Sequence, residues 1–412
     1  MRRAADELSK LQGELMGWLR TEGGQIEGNA LFETTWSPER LIVSSALSVA
    51  PVGHVLAPVE DEASYARRVP VGVVGAITPW NAPLALGIRA VAPALALGNA
   101  VVMKPDTQTA VCGGVMIALA LRRAGLPDDI FHLVPGGPEV GAALVDDPNT
   151  DMITFTGSTD VGRRVGEAAG RALKRVSLEL GGNNAMIILD DADIETAASA
   201  GAYGSFINQG QVCMATGRHL VHESIAEDYA ACLAEHASRL TVGDPSSNDV
   251  ALGPMINSAQ LQRVERIVDE TVQAGASLLT GGRVDDRFFR PTVLSGVTPD
   301  MPAFAEEVFG PVAPVTTFSN DAEAIALANA TQYGLTASVQ TADAERGRVI
   351  AEQIRAGMVH VNDQTVNDQH TAPMGGFGAS GNGSRFGPQS DLDEWTEWQW
   401  LTVRRAQKAY PF

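Results

Sequence analysis

The 412-residue chain has only three cysteines, Cys112, Cys213 and Cys232. So small and odd a number cannot build a disulfide scaffold, and we interpret each as a free thiol in a reducing compartment, which predicts a cytoplasmic protein. Positive charge is also scarce, because 30 Lys and Arg stand against 49 Asp and Glu, for a formal net charge of −19. This acidic excess argues against nucleic acid as a partner.

Long apolar runs are missing as well. The most apolar stretch, 82–103, contains Arg89, Pro93 and Asn99, which a membrane span would not tolerate without cost. After Arg2 and Arg3 the chain continues in an amphipathic pattern and not in the apolar core of a signal peptide. We therefore expect neither a membrane-spanning nor an exported protein.

What the sequence does contain is a repeating pattern of strands and helices. Its length predicts roughly two or three domains. Short apolar runs that predict strands alternate with alanine-rich runs of helical period, and a second alternation begins near Ala197. The strands of the first alternation are predicted at 71–77, 100–103, 131–134, 152–156, 176–180 and 185–189. This rhythm is typical of α/β units with doubly wound parallel sheets.

Three residues could carry covalent chemistry, although each signal is weak alone. Cys213 ends FINQGQVC, where Gly210 allows close backbone approach; a lone cysteine is more often a small buried residue, but a thiolate is a strong nucleophile. Glu179, in VSLELGGNN, ends a predicted strand, where burial would raise its pKa toward that of a general base; the alternative is a surface carboxylate. Asn81, in TPWNAPLAL, could donate to an oxyanion, or could simply form a turn before Pro83.

Seven motifs occur in one order: TPWNAPLAL, NAVVMKPD, FTGSTDVG, ELGGNN, NQGQVC, EEVFGPV and PMGGFGASGNGSRFG. In these motifs the chain resembles the aldehyde dehydrogenases over nearly its whole length. The resemblance implies an α/β fold with a Rossmann-type cofactor domain (1–50 and 71–182), an α/β catalytic domain (183–388) and a small β oligomerisation ribbon (51–70 and 395–412). It also implies a homodimer or homotetramer.

The resemblance further implies a catalytic role for each of the three residues. Cys213 matches the family's nucleophile, Asn81 with the backbone N–H of Cys213 matches the oxyanion hole, and Glu179 matches the base that activates the deacylating water. The implied reaction is thiolate attack on an aldehyde, hydride transfer to the nicotinamide of NAD or NADP, and hydrolysis of the thioester.

Cofactor contacts are expected at a strand-to-helix turn, because the amides of Gly157 and Ser158 can face a pyrophosphate at the start of a helix. By resemblance, Lys104 and Glu307 would contact the two riboses, and Phe309 would lie beside the nicotinamide. Further contacts are predicted at Thr78, Pro79, Trp80, Asp106, Gly136, Val161, Leu180 and Gly181. The GxGxxG at 376–381 is not assigned to the dinucleotide, since no βαβ unit follows it.

The chain departs from the family pattern at two places. Where many relatives have Lys-Pro-Ser-Glu, this chain has Lys104, Pro105, Asp106 and Thr107, so the carboxylate that holds the adenosine 2′-hydroxyl is lost. We therefore expect NADP to be accepted beside NAD, with Asp106 as a partial substitute. Family members also usually open with a longer segment that adds edge strands, and this chain is expected to begin inside it.

The substrate is predicted to be an aromatic aldehyde. KPDTQTAV and WTEWQWLTVR look most like the benzaldehyde and vanillin dehydrogenase branch, and Ala82, Phe206 and Met214 are predicted to line the pocket. Three alternatives stay open: a semialdehyde acid anchored by Arg218, acyl transfer to coenzyme A, which would not need Glu179, and a truncated non-catalytic dinucleotide-binding homologue.

Two further features concern ions and subunits. No metal site is expected, because Cys232 and His236 share a helical face but lack two further ligands. Trp395, Trp398 and Trp400 either cover the chain's own core or pair with another subunit.

Overall fold

The computed structural model describes residues 1–58, 62–246 and 250–412, so 59–61 of the predicted ribbon segment 51–70 lie outside the described residues. The helices are α1 (Arg2–Lys10), α2 (Gln12–Gly23), α3 (Glu27–Ser45), α4 (Pro83–Ala96), α5 (Met116–Arg123), α6 (Pro138–Asp146), α7 (Thr159–Arg171), α8 (Ile194–Phe206), α9 (Ala226–Arg239), α10 (Ser258–Gln273), α11 (Pro302–Ala305), α12 (Asp321–Asn329), α13 (Ala344–Ala351) and α14 (Pro388–Glu394). Within these described ranges, no helix has both the length and the apolar character needed to span a bilayer.

The strands of the described residues form three larger sheets and a two-stranded hairpin. They are β1 (Gly53–Leu56), β2 (Glu62–Pro70), β3 (Val73–Ile77), β4 (Ala100–Lys104), β5 (Phe131–Leu133), β6 (Met152–Thr156), β7 (Arg175–Glu179), β8 (Asn184–Ile188), β9 (Thr216–His222), β10 (Ser277–Thr280), β11 (Val284–Asp285), β12 (Phe288–Phe289), β13 (Thr292–Ser295), β14 (Val312–Phe318), β15 (Thr336–Gln340), β16 (Met358–Val361) and β17 (Thr396–Arg404).

The first sheet is parallel and has the strand order β5-β4-β3-β6-β7. Its central strands are continuous apolar runs because helices cover both faces. The register places Ile77 beside both Lys104 and Phe155, and Thr156 beside Glu179. The segments that follow β3, β4, β6 and β7 therefore leave the sheet at one edge, where open α/β sheets bind their ligands.

The second sheet has the order β10-β13-β14-β9-β8-β15-β16, and only the edge strand β10 runs antiparallel to its neighbour. One apolar core lies on each face of this sheet. The chain crosses from the first sheet to the second between Glu179, the last residue of β7, and Asn184, the first of β8. The domain boundary at 182/183 stays a prediction.

The N-terminal helices pack on the first sheet through Leu8, Leu15 and Leu19, which are buried in one cluster with Leu84 and Ile88 of α4. This packing brings α3 against the helix that begins just after Asn81. Residues distant in sequence from the catalytic motifs therefore lie beside them.

A third, antiparallel sheet has the order β1-β2-β17, and β17 pairs with β2 from Thr396 opposite Pro70 to Arg404 opposite Glu62. Trp395 is wholly buried, whereas Trp398 and Trp400 are 54% and 72% exposed. The guanidinium of Arg68 lies 4.4 Å from the ring centre of Trp398. Trp395 thus covers the chain's own core, and the other two lie on the open face of the ribbon.

The apolar residues of 111–124 recur at helical period and predict a helix there, and the structure differs in the first turn of that helix. Residues Val111–Val115 form a π-helical turn before α5 begins at Met116. A Cβ on Gly113 would lie 2.7 Å from Pro83, and one on Gly114 2.7 Å from Pro105. The wider turn therefore accommodates close contact with the start of α4, which the local periodicity does not reveal.

Candidate active site

A cavity of about 680 Å³ opens at the carboxyl edge of the first sheet. Its wall combines the segments that follow β3, β4 and β6 with the facing sides of α6 and α7. The predicted cofactor residues that line it are Thr78, Pro79, Trp80, Lys104, Asp106, Gly157, Ser158 and Val161. The structure therefore brings together residues from three separate motifs.

The chemistry of this wall fits a dinucleotide. Ser158 precedes the first turn of α7, whose unpaired amides favour an anion, and Lys104 is buried nearby. A Cβ on Gly157 would lie 2.6 Å from the Phe155 ring, so this turn has no room for a side chain. The buried Thr78 hydroxyl has no hydrogen-bond partner among the described residues, which leaves it available to a ligand.

The predicted cofactor residue Gly136 lies two residues before this wall. Among the described residues, the cavity wall includes Pro138 and Gly141 but not Gly136, whose missing side chain makes room for Val140. Arg164 also lines the wall, although none of the sequence motifs includes it. Its spacing from Val161 would have revealed it, since helix positions three apart share a face.

A second, smaller chamber of about 220 Å³ shares Pro79, Trp80, Thr156, Gly157 and Ser158 with the large cavity. It adds Asn81, Leu180, Gly181, Cys213, Glu307 and Phe309 from the predicted site, together with Leu86, Gln260 and Arg263. Trp80 and Phe309 meet edge to face, with ring centres 5.5 Å apart. The predicted nucleophile and the predicted cofactor wall therefore adjoin.

Cys213 is positioned by an unusual turn. Asn208, Gln209 and Gly210 have φ angles of 49°, 57° and 67°, in the left-handed region that side chains rarely adopt. A Cβ on Gly210 would lie 2.1 Å from the carbonyl oxygen of Gly310, so the close approach expected at this glycine occurs. The turn is held by the Asn208 amide, which donates to the Asn81 carbonyl at 2.9 Å.

The side chain of Asn81 is fixed against the same loop. Its Nδ2 donates to the carbonyl oxygen of Gln211 at 3.0 Å. A side-chain amide has two N–H donors, so one remains for another acceptor. Since both Asn81 and Cys213 line the chamber, this donor can serve an oxygen bound there.

Burial raises the pKa of Cys213 to about 12; the charge of Arg89 opposes the increase, whereas Glu307 and Glu179 add to it. At neutral pH the thiol therefore keeps its proton, and a nucleophilic attack requires a base.

Glu179 is buried at the end of β7, and neither of its carboxylate oxygens has a hydrogen-bond partner in the described part of the chain. Desolvation raises the pKa of Glu179 well above its ordinary value, with Arg89 as the largest opposing charge. Its side chain is not part of the chamber wall formed by the described residues, although the next two, Leu180 and Gly181, are. The result is a carboxyl group that holds its proton unusually tightly.

Glu307 explains why two glycines, Gly181 and Gly182, follow shortly after Glu179. A Cβ on Gly181 would lie 2.1 Å from the Glu307 carboxylate, and the backbone N–H of Gly182 donates to that carboxylate at 3.0 Å. Burial raises the pKa of Glu307 to about 7, and the bond from Gly182 opposes the rise. Glu307 therefore faces the chamber with one oxygen already engaged.

The predicted substrate-pocket residues are not part of this chamber. Phe206 and Met214 are buried in apolar cores, and Leu86, one turn beyond Ala82, lines the described chamber wall in their place. Arg218 is buried, and its guanidinium donates to the carbonyl oxygens of Asn183, Leu327 and Ala328 at 2.8–3.0 Å. Because main-chain carbonyls occupy its donors, Arg218 is not placed to anchor a substrate carboxylate.

Arg89 is the residue of this region whose role the sequence did not reveal. It is buried on α4, two turns after Asn81, and it pairs with Asp368. It is the largest charge that opposes the raised pKa of both Cys213 and Glu179. The sequence showed it only as an interruption of an apolar stretch, since nothing local indicates its partner.

The structure adds one donor to the pair Cys232 and His236. Glu195 of α8 brings its carboxylate within 4.8 Å of both potential ligand atoms on α9. The Cys232 thiol donates to one oxygen of Glu195 at 3.0 Å, and His236 Nε2 lies 3.1 Å from the other. These contacts join α8 to α9, although His236 Nε2 makes no hydrogen bond with the described residues.

Known proteins share this architecture. The family model described as "Aldehyde dehydrogenase family" matches residues 1–401. The chain is 52% identical to a vanillin dehydrogenase of Amycolatopsis sp. and 48% identical to a benzaldehyde dehydrogenase [NAD(+)] of Pseudomonas putida; each match covers 100% of this chain and 85% of the relative.

Solved structures agree with these relatives. Betaine aldehyde dehydrogenase from Staphylococcus aureus in complex with NAD+ superposes with a TM-score of 0.95 at 30% identity, over 100% of this chain and 83% of that one. Glyceraldehyde-3-phosphate dehydrogenase GapN from Methanocaldococcus jannaschii, complexed with NADP, gives 0.92 at 34% identity, over 98% and 88%.

The chain belongs to the aldehyde dehydrogenase family. It is thus an oxidoreductase of the NAD- or NADP-dependent type, and the predicted family and α/β fold are confirmed.

Proposed function

We propose that the protein oxidises aromatic aldehydes to carboxylic acids, with NAD or NADP as the electron acceptor. The observation that carries this proposal is the small chamber, which contains Cys213, Asn81 and Glu307 and shares a wall with the large cavity. The vanillin and benzaldehyde dehydrogenases among the relatives support a ring-bearing substrate.

In the proposed reaction the thiol of Cys213 passes its proton to a water molecule in the chamber, and its sulfur attacks the aldehyde carbon. The carbonyl oxygen becomes an oxyanion, which accepts from the free Nδ2 hydrogen of Asn81 and from the backbone N–H of Cys213. When bound in the large cavity, a nicotinamide dinucleotide supplies a hydride acceptor. Transfer of the hydrogen on the former aldehyde carbon, as a hydride, to that acceptor leaves a thioester on Cys213.

Glu179 is proposed to act as the base that releases the acid. Its two oxygens, unpartnered among the described residues, can accept a proton from water as that water attacks the thioester. The raised pKa makes the ionised carboxylate a stronger base than an exposed glutamate. The hydrolysis returns Cys213 to its thiol form. This role also disfavours acyl transfer to coenzyme A, which has no need of such a base.

The same proposal assigns the cofactor contacts. The start of α7, with Gly157 and Ser158, would hold the pyrophosphate, and Lys104 and Glu307 would bind the riboses. Phe309 would lie against the nicotinamide. Arg164 in the same wall supports acceptance of a 2′-phosphate and hence of NADP.

The subunit arrangement is proposed to be a homodimer or homotetramer formed through the ribbon. Trp398 and Trp400 are exposed on one strand, and β17 pairs with β2 alone in the described part of the ribbon. An apolar edge strand of this kind favours pairing with another chain. Light scattering after size-exclusion chromatography tests the assembly.

The three free thiols fit a reducing compartment such as the cytoplasm.

The reaction is tested by absorbance of the reduced nicotinamide. Purified protein meets benzaldehyde, vanillin or a short aliphatic aldehyde, with NAD and NADP in separate assays and Cys213→Ala as the control. We expect a Cys213-dependent signal that is larger for the ring aldehydes, and an acid as the product. A preference for the aliphatic aldehyde, or a signal that survives in Cys213→Ala, would contradict the proposal.

A further inference from the structure

Residues 24–33 lie at the junction of α2 and α3 and have no part in the chemistry proposed above. They nevertheless contact both the turn that positions Cys213 and the backbone of Asn81. The Gln209 side chain donates to the carbonyl oxygen of Gly24 at 3.1 Å. The Asn29 side chain donates to Asn208 Oδ1 at 3.1 Å. The left-handed residues 208–210, which we call the nucleophile turn, are therefore hydrogen-bonded to this junction through Asn208 and Gln209.

The same junction holds the backbone of Asn81. Gln25 is 2% exposed, and its Nε2 donates to the Asn81 carbonyl at 3.5 Å and to the Glu33 carboxylate. Asn208 donates to that same carbonyl at 2.9 Å. The carbonyl of Asn81 thus accepts from two side chains on different segments, which restricts rotation of the adjoining peptide.

Glu33 fixes the residues that follow Asn81. It is 2% exposed, and its carboxylate accepts from the backbone N–H of Ala85 at 2.9 Å and from that of Leu84. These amides lie in the first turn of α4, where amides have no partner within the helix. The residue before this helix, Ala82, has no side-chain oxygen to cap them. Glu33 therefore caps the helix from a different part of the chain.

Because Glu33 caps α4, position 82 does not need a polar capping side chain. The preferred capping residues at position 82 would place a polar side chain directly beside Asn81, where it would compete for the same hydrogen bonds. A carboxylate on α3 satisfies the amides and complements the helix dipole without doing so. The position of Asn81 then depends on contacts with α3.

We propose that Glu33 and Gln25 are positioning residues, which hold Asn81 at the distance from Cys213 that oxyanion stabilisation requires. This inference rests on the proposed role of Asn81. A misplacement of about 1 Å in such a site can lower the rate about 10²-fold. Loss of the cap should therefore reduce kcat far more than it changes the binding of the dinucleotide, which uses the other cavity.

The chain offers a matched control. Glu22 of α2 accepts from the backbone N–H groups of Val111 and Cys112 at 3.1 and 2.8 Å, so it too caps a helical turn from elsewhere. That turn carries none of the proposed catalytic residues. Glu22→Gln and Glu33→Gln therefore remove the same kind of contact, but only Glu33 bonds directly to the amides that follow Asn81.

The experiment measures kcat, KM for aldehyde and for NAD, and thermal unfolding of Glu33→Gln, Glu22→Gln and Gln25→Ala, with Asn81→Ala and the double variant Asn81→Ala/Glu33→Gln. We expect kcat to fall about 10- to 100-fold in Glu33→Gln. In Glu22→Gln it should stay within about twofold. On the Asn81→Ala background, Glu33→Gln should lower kcat by less than about threefold, because residues that act together are not additive.

Full additivity of the two substitutions, or an equal loss of kcat in Glu22→Gln, would overturn the inference. A normal kcat in Asn81→Ala would refute the proposed oxyanion role itself, which separates the two failures. If Glu33→Gln does not fold, Gln25→Ala and its double variant with Asn81→Ala decide the same question, because Gln25 donates directly to the Asn81 carbonyl.

Discussion

The molecule contains two regions in which a cysteine lies near a glutamate. Burial raises the pKa of Cys213 to about 12, and burial with a hydrogen bond to Glu195 raises that of Cys232 to about 11. The two thiols thus differ little in acidity. They differ in their glutamates: within the described chain Glu179 has no hydrogen-bond partner, whereas Glu195 contacts both Cys232 and His236.

This difference shows that the pKa of a thiol does not by itself identify a nucleophile. Around Cys232 the thiol donates to the Glu195 carboxylate and His236 Nε2 lies 3.1 Å from it, so the cluster joins α8 to α9 through a glutamate that solvent reaches. Around Cys213 the acid and one amide hydrogen of Asn81 stay free, and the thiol faces a chamber. Unsatisfied buried groups are costly, and they are retained where a ligand or a reaction uses them.

The largest expected effect compares the two cysteines directly. Cys213→Ala should lower aldehyde-dependent reduction of NAD by about 10⁴-fold or more, because the covalent step is lost. Cys232→Ala should stay within about twofold of the unmodified protein, since only a helix contact is removed. Steady-state absorbance measures both, and fluorescence titration should show NAD binding retained in each variant. Comparable losses of activity in Cys213→Ala and Cys232→Ala would contradict a catalytic role for Cys213 alone.

The second effect compares the two glutamates. Glu179→Gln should slow turnover about 10²- to 10⁴-fold, the usual contribution of a general base. Because deacylation is the step that needs Glu179, rapid mixing should still give a burst of one reduced nicotinamide per site. Glu195→Gln should leave both phases unchanged. A missing burst in Glu179→Gln would move the role of Glu179 to the first chemical step.

Glu179→Gln should also stabilise the fold at neutral pH. The folded pKa of Glu179 lies well above that of the unfolded chain, near 4.5, so the unfolded state ionises first as pH rises. The folded protein therefore loses stability from about pH 4.5 up to the folded pKa. The Gln variant lacks this loss, and its Tm should exceed that of the unmodified protein at pH 8 but not at pH 4. Calorimetry at the two pH values checks the sign.

A third effect tests the side-chain amide of Asn81, which lines the chamber together with Cys213. Asn81→Ala should lower kcat about 10²- to 10³-fold, as expected when one oxyanion donor is removed. The Kd for NAD should change little, because the large cavity keeps its other contacts. Stopped-flow measurement of the burst rate locates the loss in the attack and hydride steps. An unchanged burst rate would exclude Asn81 from the oxyanion site.

The sequence predicted the five strands of the first sheet, because most of them are apolar runs bounded by turns. The run 185–189, predicted in the same alternation, instead forms β8 of the second sheet. It also predicted the grouping of Asn81 and Cys213, since ordered motifs carry information about distant contacts. Gly210 followed from close backbone approach, which depends on one residue type alone.

Other residues were missed for a physical reason. Helix α4 is buried on nearly every side, so hydrophobic periodicity could not show that Leu86 faces the chamber or that Arg89 meets Asp368. Phe206 and Met214 flank the nucleophile turn in sequence, but they are buried in two different apolar cores. Such choices depend on tertiary packing, which no local pattern contains.

The smallest expected effect again compares the two thiols, now within one molecule. The charge of Arg89 lowers the pKa of Cys213, whereas the charges with the main effect on the pKa of Cys232 are those of Glu195, Glu235 and Arg239. Removing Arg89 alone would leave Asp368 buried without its partner, so the test variant is Arg89→Met/Asp368→Asn. Alkylation of Cys213 by iodoacetamide at pH 9 should slow by less than about tenfold, because loss of the Arg89 charge outweighs loss of the weaker Asp368 charge, which raises the same pKa. Mass spectrometry of the two peptides reads both sites in one sample, and an equal slowing at Cys232 would attribute the change to a general loosening of the fold.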